Sequence, residues 1–146
     1  MNLLLENSTF VEYYTYLDEL FRAIPELQEY NYLLSDLDVT NWPLEQSSIS
    51  ISGSELFETI TSSKVQFIWG VLSAFKGEVC IPSDLPYADG NPRLWQHNRK
   101  VQCPGAEFEI VCWDSGATLF IGADEELASK LMKLYPDIQR LDSTIN

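Results

Sequence analysis

The stretch "EFEIVCWDSGATLFIGAD", residues 107 to 124, decides the fold of this chain. It consists of two short apolar runs on either side of Ser115-Gly116, a pair of residues that favours a tight turn. Two such runs around a turn are typical of an antiparallel hairpin. The stretch therefore predicts strand, turn and strand, and Asp124 at its end is placed to cap a helix.

Further strands are predicted before this hairpin. The run "KVQFIWGVLSAF" (64–75) is rich in β-branched and aromatic residues, which predicts a central strand. The segment "EVCIP" (78–82) follows the turn at Lys76-Gly77 and is predicted to be its hairpin partner. Two more strands are predicted at "YNYLLSDLDV" (30–39) and at "SISIS" (48–52), where polar and apolar residues alternate.

Three helices are predicted from apolar residues at helical spacing and from capping residues. The first covers residues 8–23, with Ser8 or Thr9 as its N-cap. The second covers residues 53–62, where Ser52 and Glu55 stand at the spacing of a capping box. The third is "EELASKLMKLYP" (125–136), with acids in its first turn and lysines later, as the helix dipole prefers. The inward positions of the first and third helices are Val11, Tyr14, Leu17, Leu20 and Phe21, and Leu127, Leu131 and Leu134.

Together these elements predict the fold class α+β, as one domain over residues 1–146. Its core is a mainly antiparallel sheet, with the N-terminal, middle and C-terminal helices packed on one face. Residues 82–105 contain several Pro and Gly and are predicted to be a long loop that could hold one short strand. A basic patch lies in this loop, formed by Arg93, His97, Arg99 and Lys100.

Nothing in the sequence predicts export or insertion into a membrane. The start, "MNLLLENSTF", lacks the basic region and the long apolar run of a signal peptide. The longest apolar stretch, residues 65–75, is much shorter than the roughly 20 residues of a membrane-spanning helix. We therefore expect a cytoplasmic protein. In that reducing compartment the odd number of cysteines, Cys80, Cys103 and Cys112, predicts free and mostly buried thiols.

The chain is strongly acidic, with 22 acidic residues, 9 basic residues and a net charge of -13. This acidity is concentrated in residues 1–63, which contain 11 acidic residues and a single basic residue, Arg22. Nucleic acids and anionic membranes repel such a surface. We expect neither of them as a partner, and we expect a basic protein instead.

A candidate partner surface lies in this acidic half. The stretch "EYNYLLSDLDVTNWPLEQ" (29–46) sets carboxylates among apolar residues without a single Lys, Arg or His. Asp36 and Asp38 are two apart in a predicted strand and are expected to point to the same side. Trp42 is a loop aromatic of the kind that anchors interfaces. The predicted partner-binding residues are Asp18, Glu19, Glu26, Glu29, Asp36, Asp38, Trp42 and Glu45.

Other uses of these residue types are weaker hypotheses. The Asp36 and Asp38 carboxylates could share a cation or act as acid and base, but no calcium-loop pattern surrounds them. His97 and the three cysteines are zinc-ligand types without CxxC or HxxxH spacing, and Cys103 with His97 could form a nucleophile and base pair. No glycine-rich phosphate loop occurs in the sequence, and Ser115 is predicted to be a turn residue. We therefore assign no catalytic residue, no metal and no cofactor.

Two segments resemble small uncharacterised bacterial proteins. The stretch "ISISGSELFETITSSKVQFIWGVLSAF" (49–75) has the I-S-G-x-E-L helix start and the Q-F-I-W-G-V strand of that group. Its C-terminal strand and helix correspond to "WDSGATLFIGADEELASKLMKLYPD" (113–137). That group brings no active site to this chain. In size, acidity and lack of a catalytic pattern, the chain is also similar to the immunity proteins of bacterial toxin systems, a class with many unrelated folds.

Our leading hypothesis is a non-enzymatic binding protein, an immunity protein that neutralises a basic toxin such as a nuclease by covering its positively charged site. Because a nuclease is positive where it holds phosphates, carboxylates can take their place. One alternative is a small enzyme or ligand-binding domain that uses the basic loop at 82–105, with His97 or Cys103 acting on an anionic substrate. Another is a DNA mimic that inhibits a DNA-binding protein. The simplest alternative is that the excess acidity only keeps the protein in solution.

Overall fold

The computed structural model describes residues 1–43, 49–96 and 99–141. These residues form a seven-stranded sheet in which every neighbouring pair of strands is antiparallel. Its strands are β1 (Leu3–Glu6), β2 (Asn31–Thr40), β3 (Ile49–Ser52), β4 (Gln66–Phe75), β5 (Phe108–Trp113), β6 (Ala117–Ile121) and β7 (Gln139–Arg140), in the order β3-β2-β4-β5-β6-β1-β7. The α-helices are α1 (Asp18–Ala23), α2 (Gly53–Ser62) and α3 (Glu125–Leu134), and short 3₁₀ helices cover Pro25–Glu29 and Pro92–Trp95. The predicted α+β fold class is confirmed.

The predicted hairpin at 107–124 forms the middle of this sheet. In it β5 pairs with β6, so that Glu109 lies opposite Ile121 and Trp113 lies opposite Ala117. Asp114 and Ser115 at the turn both have left-handed backbone conformations, with φ of 49° and 55°. Gly116 completes this three-residue connection, and its amide donates to the carbonyl of Trp113 at 3.0 Å. Left-handed residues at the centre of such a turn suit the twist of the two strands. Since β5 is fourth in the order, three strands are added on each side of it.

Helices α2 and α3 begin at the predicted caps. The Ser52 hydroxyl accepts a hydrogen bond from the amide of Glu55 at 3.2 Å. The Asp124 carboxylate accepts one from the amide of Leu127 at 2.8 Å. Each bond satisfies an amide that the first turn of a helix leaves without an intrahelical partner. The boundaries of α2 are those predicted, and α3 ends two residues earlier than predicted.

Two parts of the strand prediction are wrong. Residues 78–82 form no strand, because both edges of β4 are already occupied by β2 and β5. The sequence reading also missed β1, which lies between β6 and β7, with Leu4 opposite both Leu119 and Gln139. All three leucines of β1 are buried. A strand buried in this way lacks the polar alternation by which a strand is recognised.

The first predicted helix is correct only over its last third, α1. Before it, Thr15 has φ of 65°, and its carbonyl accepts a hydrogen bond from the amide of Phe67 in β4 at 3.0 Å. That conformation breaks a helix, so residues 8–17 are irregular. The inward positions predicted from the pattern are nevertheless correct. Leu17, Leu20 and Phe21 are buried, and Val11 and Tyr14 pack against the same core.

Both faces of the sheet are buried. On one face, α1, α2 and α3 contribute to a main core that includes Tyr32, Phe67 and Phe120, as the prediction of helices on one face requires. On the other face, a smaller core around Val71 and Val111 is covered by a segment without α-helices or strands in its described part. We call this segment, residues 83–103, the strap. Of the strand predicted at residues 48–52, Ser48 lies outside the described residues.

Side chains from the sheet hold the strap by its backbone. The Ser35 hydroxyl donates to the carbonyl of Pro86 at 2.8 Å. The Asp36 carboxylate accepts from the amides of Ala88 and Asp89 at 2.8 and 2.9 Å. Because irregular backbone cannot pair with itself as a helix or strand does, such bonds satisfy groups that would otherwise be costly to bury.

The carboxylate of Glu109 makes the innermost of these attachments. Glu109 lies in β5 and has no exposed surface. It accepts hydrogen bonds from the Ser73 hydroxyl at 2.7 Å and from the amides of Gln102 and Cys103 at 2.6 and 3.0 Å. Burial raises the pKa of this carboxyl, and the three donors oppose that effect only in part.

The pKa of Glu109 predicts a pH dependence of stability that the variant Glu109→Gln lacks. Because the folded pKa lies above the ordinary value of 4.5, the stabilisation linked to this group is present below that value. It is lost as the pH rises through the folded pKa. In urea unfolding, the free energy of unfolding of the wild type relative to Glu109→Gln is therefore expected to fall as the pH rises above the ordinary value of 4.5.

The control for this measurement is Glu107→Gln, since Glu107 is an exposed neighbour on the same chain segment. The difference measured for Glu107→Gln at each pH is subtracted from that measured for Glu109→Gln. The hydrogen bonds that rearrange in Glu109→Gln also change its free energy of unfolding, but by an amount that does not vary with pH. A difference between wild type and Glu109→Gln that stays constant or grows with pH would contradict the raised pKa.

Candidate functional site

The irregular segment at residues 8–17 presents three aromatic side chains to the solvent. Phe10 is 56% exposed, Tyr13 is 69% exposed and Tyr16 is 36% exposed. The rings of Tyr13 and Tyr16 make an edge-to-face contact, with 6.4 Å between their centroids. Exposed aromatic side chains grouped on one segment are typical of a protein interface.

Carboxylates lie beside these aromatic side chains. Glu12, Asp18 and Glu19 line a shallow groove of about 680 Å³ with the three aromatic residues, and Asn41 and two cations, Arg22 and Lys64, complete its lining. Asp18 lies 3.9 Å from the Arg22 guanidinium, whereas Glu12 and Glu19 are exposed. We call this set the aromatic-acidic surface; its members are Phe10, Glu12, Tyr13, Tyr16, Asp18 and Glu19.

One end of the irregular segment is fixed by Asp137, which follows α3. Its carboxylate accepts from the Ser8 hydroxyl at 2.6 Å and from the amide of Thr9 at 2.8 Å. The hydrogen bond from Ser8, with that from Thr9, lowers the pKa of Asp137 below its ordinary value. Ser8 and Thr9 therefore bind the C-terminal part of the chain instead of capping a helix.

The other end is fixed to the sheet. In addition to the bond between Thr15 and Phe67, the side-chain amide of Gln66 donates to the carbonyl of Tyr14 at 3.0 Å. The aromatic-acidic surface is thus carried by a tethered segment, although that segment is neither helix nor strand. Ordering such a surface before it binds lowers the entropic cost of binding.

Two of the predicted partner-binding residues, Glu26 and Glu29, lie at a separate hollow. They line it together with Lys130 of α3. The Lys130 ammonium lies 3.0 Å from the Glu26 carboxylate and 3.3 Å from that of Glu126. The hydrogen bond from Lys130 lowers the pKa of Glu26. Glu26 therefore already has a cationic partner, while Glu29 is exposed.

Asp36 and Asp38 do not have the regular geometry that the sequence predicted. The pairing of β2 with β4 shifts register between Ser35 and Asp38, and Asp36 has φ of 51°. Regular alternation therefore fails at this point. The Asp36 carboxylate holds the strap, as described above, whereas Asp38 is exposed.

Trp42 is not an exposed anchor in this structure. Its ring packs against Phe67, with 6.0 Å between the ring centroids, and it belongs to the partly buried border of the main core. Glu45 and His97 lie outside the described residues. Of the eight predicted partner-binding residues, Asp18 and Glu19 are the two that the structure brings into the aromatic-acidic surface.

The sequence reading missed Phe10, Glu12, Tyr13 and Tyr16 as surface residues. It assigned this segment to a helix and considered only the inward positions. The available signal was weak: in the predicted helix Phe10 stands four residues before Tyr14, on the apolar stripe, and only Tyr16 lies clearly off it, where a helix normally carries polar residues. A role in a protein interface explains why aromatic side chains are exposed at such positions.

Two of the three thiols are poorly placed to act as nucleophiles. All three cysteines are free, with Cys103 and Cys112 buried and Cys80 exposed, which confirms the predicted free and mostly buried thiols. Burial, with the nearby Glu109 carboxylate, raises the pKa of Cys103. A buried thiol with a raised pKa is a poor source of thiolate. Within the described ranges, no group of three or more His, Cys, Asp or Glu residues is arranged to hold a metal ion.

Comparisons of the chain with protein-family models, with curated proteins and with solved structures found no match. The resemblance to small bacterial proteins therefore stays a prediction. None of the helices in the described residues has the length and apolar character needed to cross a membrane.

Removing the Asp137 carboxylate is expected to loosen the aromatic segment. In Asp137→Ala, the amides of Thr9 and Phe10 lose their ordered surroundings, and their hydrogen exchange is expected to accelerate by about tenfold. In the wild type, this protection is present above the ordinary pKa of 3.8. It is lost as the pH falls through the lower folded pKa.

The matched control is Glu58→Ala, which removes an exposed carboxylate from α2. Exchange at Thr9 and Phe10 is expected to be unchanged in that variant. Equal exchange of these amides in Asp137→Ala and in the wild type would show that Asp137 does not fix the segment.

Proposed function

We propose that this chain is a non-enzymatic cytoplasmic binding protein that uses the aromatic-acidic surface to bind a basic protein. The most concrete form of this proposal is an immunity protein that covers the positively charged site of a toxin such as a nuclease. The observation that carries the proposal is the exposure of Phe10, Tyr13 and Tyr16 beside exposed carboxylates on a tethered segment.

The aromatic side chains supply the part of the binding energy that does not depend on charge. Binding energy in protein interfaces is concentrated in a few residues, and tyrosine is enriched among them. Tyr13 and Tyr16 already contact each other in the free protein. A partner that covers both rings therefore buries apolar area without first having to order the two side chains against each other.

The carboxylates supply steering and specificity. The chain carries a net charge of -13, so a basic partner is attracted from a distance. Glu12 and Glu19 lie where that partner would make contact. Charges at an interface chiefly raise the association rate and exclude partners of the wrong sign. A phosphate-binding site on a nuclease has the complementary sign.

The rival enzyme hypothesis has less support from the described residues. Cys103 is buried, and its raised pKa disfavours the thiolate that a nucleophile needs. The Cys103 Sγ lies 3.6 Å from the carbonyl oxygen of Cys80, a contact that satisfies the thiol without activating it. This environment favours a packing role for Cys103.

The test is a pull-down from the cells that produce the chain, at about 50 mM and about 500 mM salt, because salt screens exposed charge contacts over this range. A basic protein is expected to be retained at the lower salt. The double variant Phe10→Ser/Tyr13→Ser is expected to weaken its affinity by at least about tenfold, as loss of interface anchors does. The variant Glu12→Gln/Glu19→Gln is expected to slow association and to reduce the salt dependence.

Matched controls come from other parts of the surface. Ile81→Ser removes an exposed apolar side chain outside the aromatic-acidic surface, and Glu55→Gln/Glu58→Gln removes two exposed carboxylates of α2. Both are expected to retain the partner. An empty bait at both salts, or a partner lost from the controls and kept by Phe10→Ser/Tyr13→Ser, would contradict the proposal. Displacement of the partner by duplex DNA would favour the DNA-mimic alternative.

A further inference from the structure

The strap contains a second groove, of about 860 Å³, whose charge is opposite to that of the chain as a whole. We propose that this groove binds a small organic anion, a molecule with an apolar ring or chain and one carboxylate, phosphate or sulfonate group. Pockets for small ligands have volumes of roughly 300 to 1,000 Å³, so the size is suitable. The inference does not depend on the proposed function, since the two surfaces share no residue.

Cationic side chains dominate the charge of this groove. Arg93, Arg99 and Lys100 line it, and Asp84 is the acidic residue among the lining residues. The ion pairs among described residues use Arg22, Lys76 and Lys130 and involve neither Arg93 nor Lys100. Both Arg93 and Lys100 are exposed. In a chain of net charge -13, two cations that remain available beside a groove favour an anionic ligand.

The walls of the groove are held together by side-chain amides. Gln102 accepts from the amide of Tyr87 at 2.9 Å and donates to the carbonyl of Tyr87 at 3.0 Å. Asn91 donates to the same carbonyl at 2.9 Å and to Gln102 at 3.2 Å, and its oxygen accepts from the amide of Arg93 at 3.1 Å. This network joins the two sides of the strap and, through Asn91, links the backbone of Arg93 to that of Tyr87. Such a preformed site loses little entropy on binding.

Exposed apolar side chains in the groove indicate that its ligand also has an apolar part. Leu85 and Tyr87 line it and are 43% and 38% exposed. A bare inorganic anion would leave both in water, whereas a ligand with an apolar part would cover them and gain from the hydrophobic effect. Arg93 and Lys100 would hold the anionic group by charge-assisted hydrogen bonds.

The test uses 8-anilinonaphthalene-1-sulfonate, an aromatic anion whose fluorescence rises when it binds an apolar site. Titration into the folded full chain is expected to show saturable binding with one site. In the double variant Arg93→Gln/Lys100→Gln, the affinity is expected to fall by about tenfold or more, because two charge-assisted contacts are lost. Circular dichroism confirms that the variant is folded.

Two controls separate this groove from other surfaces. N-phenyl-1-naphthylamine has the same rings without the sulfonate and is expected to bind about tenfold more weakly than the anionic probe. Lys64→Gln/Lys133→Gln removes two cations outside the groove and is expected to bind the anionic probe as the wild type does. The proposal would be overturned by the absence of saturable binding or by equal affinity for the neutral probe. Unchanged binding in Arg93→Gln/Lys100→Gln, or a loss of binding in Tyr13→Ser, would also overturn it.

Discussion

The rest of this structure depends on the burial of one antiparallel sheet on both faces. Antiparallel sheets commonly leave one face in water, and their strands then alternate between apolar and polar residues. Here α1, α2 and α3 cover one face, and the strap covers the other. In its described part, the irregular backbone of the strap forms no α-helix or sheet hydrogen bonds with itself. It therefore depends on hydrogen-bond acceptors on side chains of the sheet. The carboxylates of Asp36 and Glu109 are two of them.

This arrangement separates the two charged surfaces of the molecule. The aromatic-acidic surface belongs to the segment that packs, through Val11 and Tyr14, against the core on the helical face. The cationic groove belongs to the strap on the opposite face. Segregation of charge in this way is what the two proposals require, with a basic protein attracted to one side and a small anion to the other. It also gives the acidic residues unequal roles, since Asp36 holds the strap while Glu12 and Glu19 face the solvent.

Local signals in the sequence were sufficient for much of the fold. The central hairpin followed from its turn, and α2 and α3 followed from Ser52 and Asp124, because turns and caps act over a few residues. Features that depend on distant residues could not be read in this way. The helix predicted at 8–23 is interrupted by the bond of Thr15 to Phe67, and the neighbours of β1 are β6 and β7 from the far end of the chain. The same limit explains the site: acidic composition pointed to Asp18 and Glu19, but the exposure of Tyr13 and Tyr16 results from tertiary contacts.

The most direct measurement of the central claim is hydrogen exchange of the full chain, free and bound to the basic partner that it captures. Peptides that cover residues 8–22 are expected to exchange more slowly in the complex, and peptides that cover the strap are expected to be unchanged. That footprint would place the partner on the aromatic-acidic surface. Slower exchange in the strap, with residues 8–22 unchanged, would contradict the account and would transfer protein binding to the cationic face.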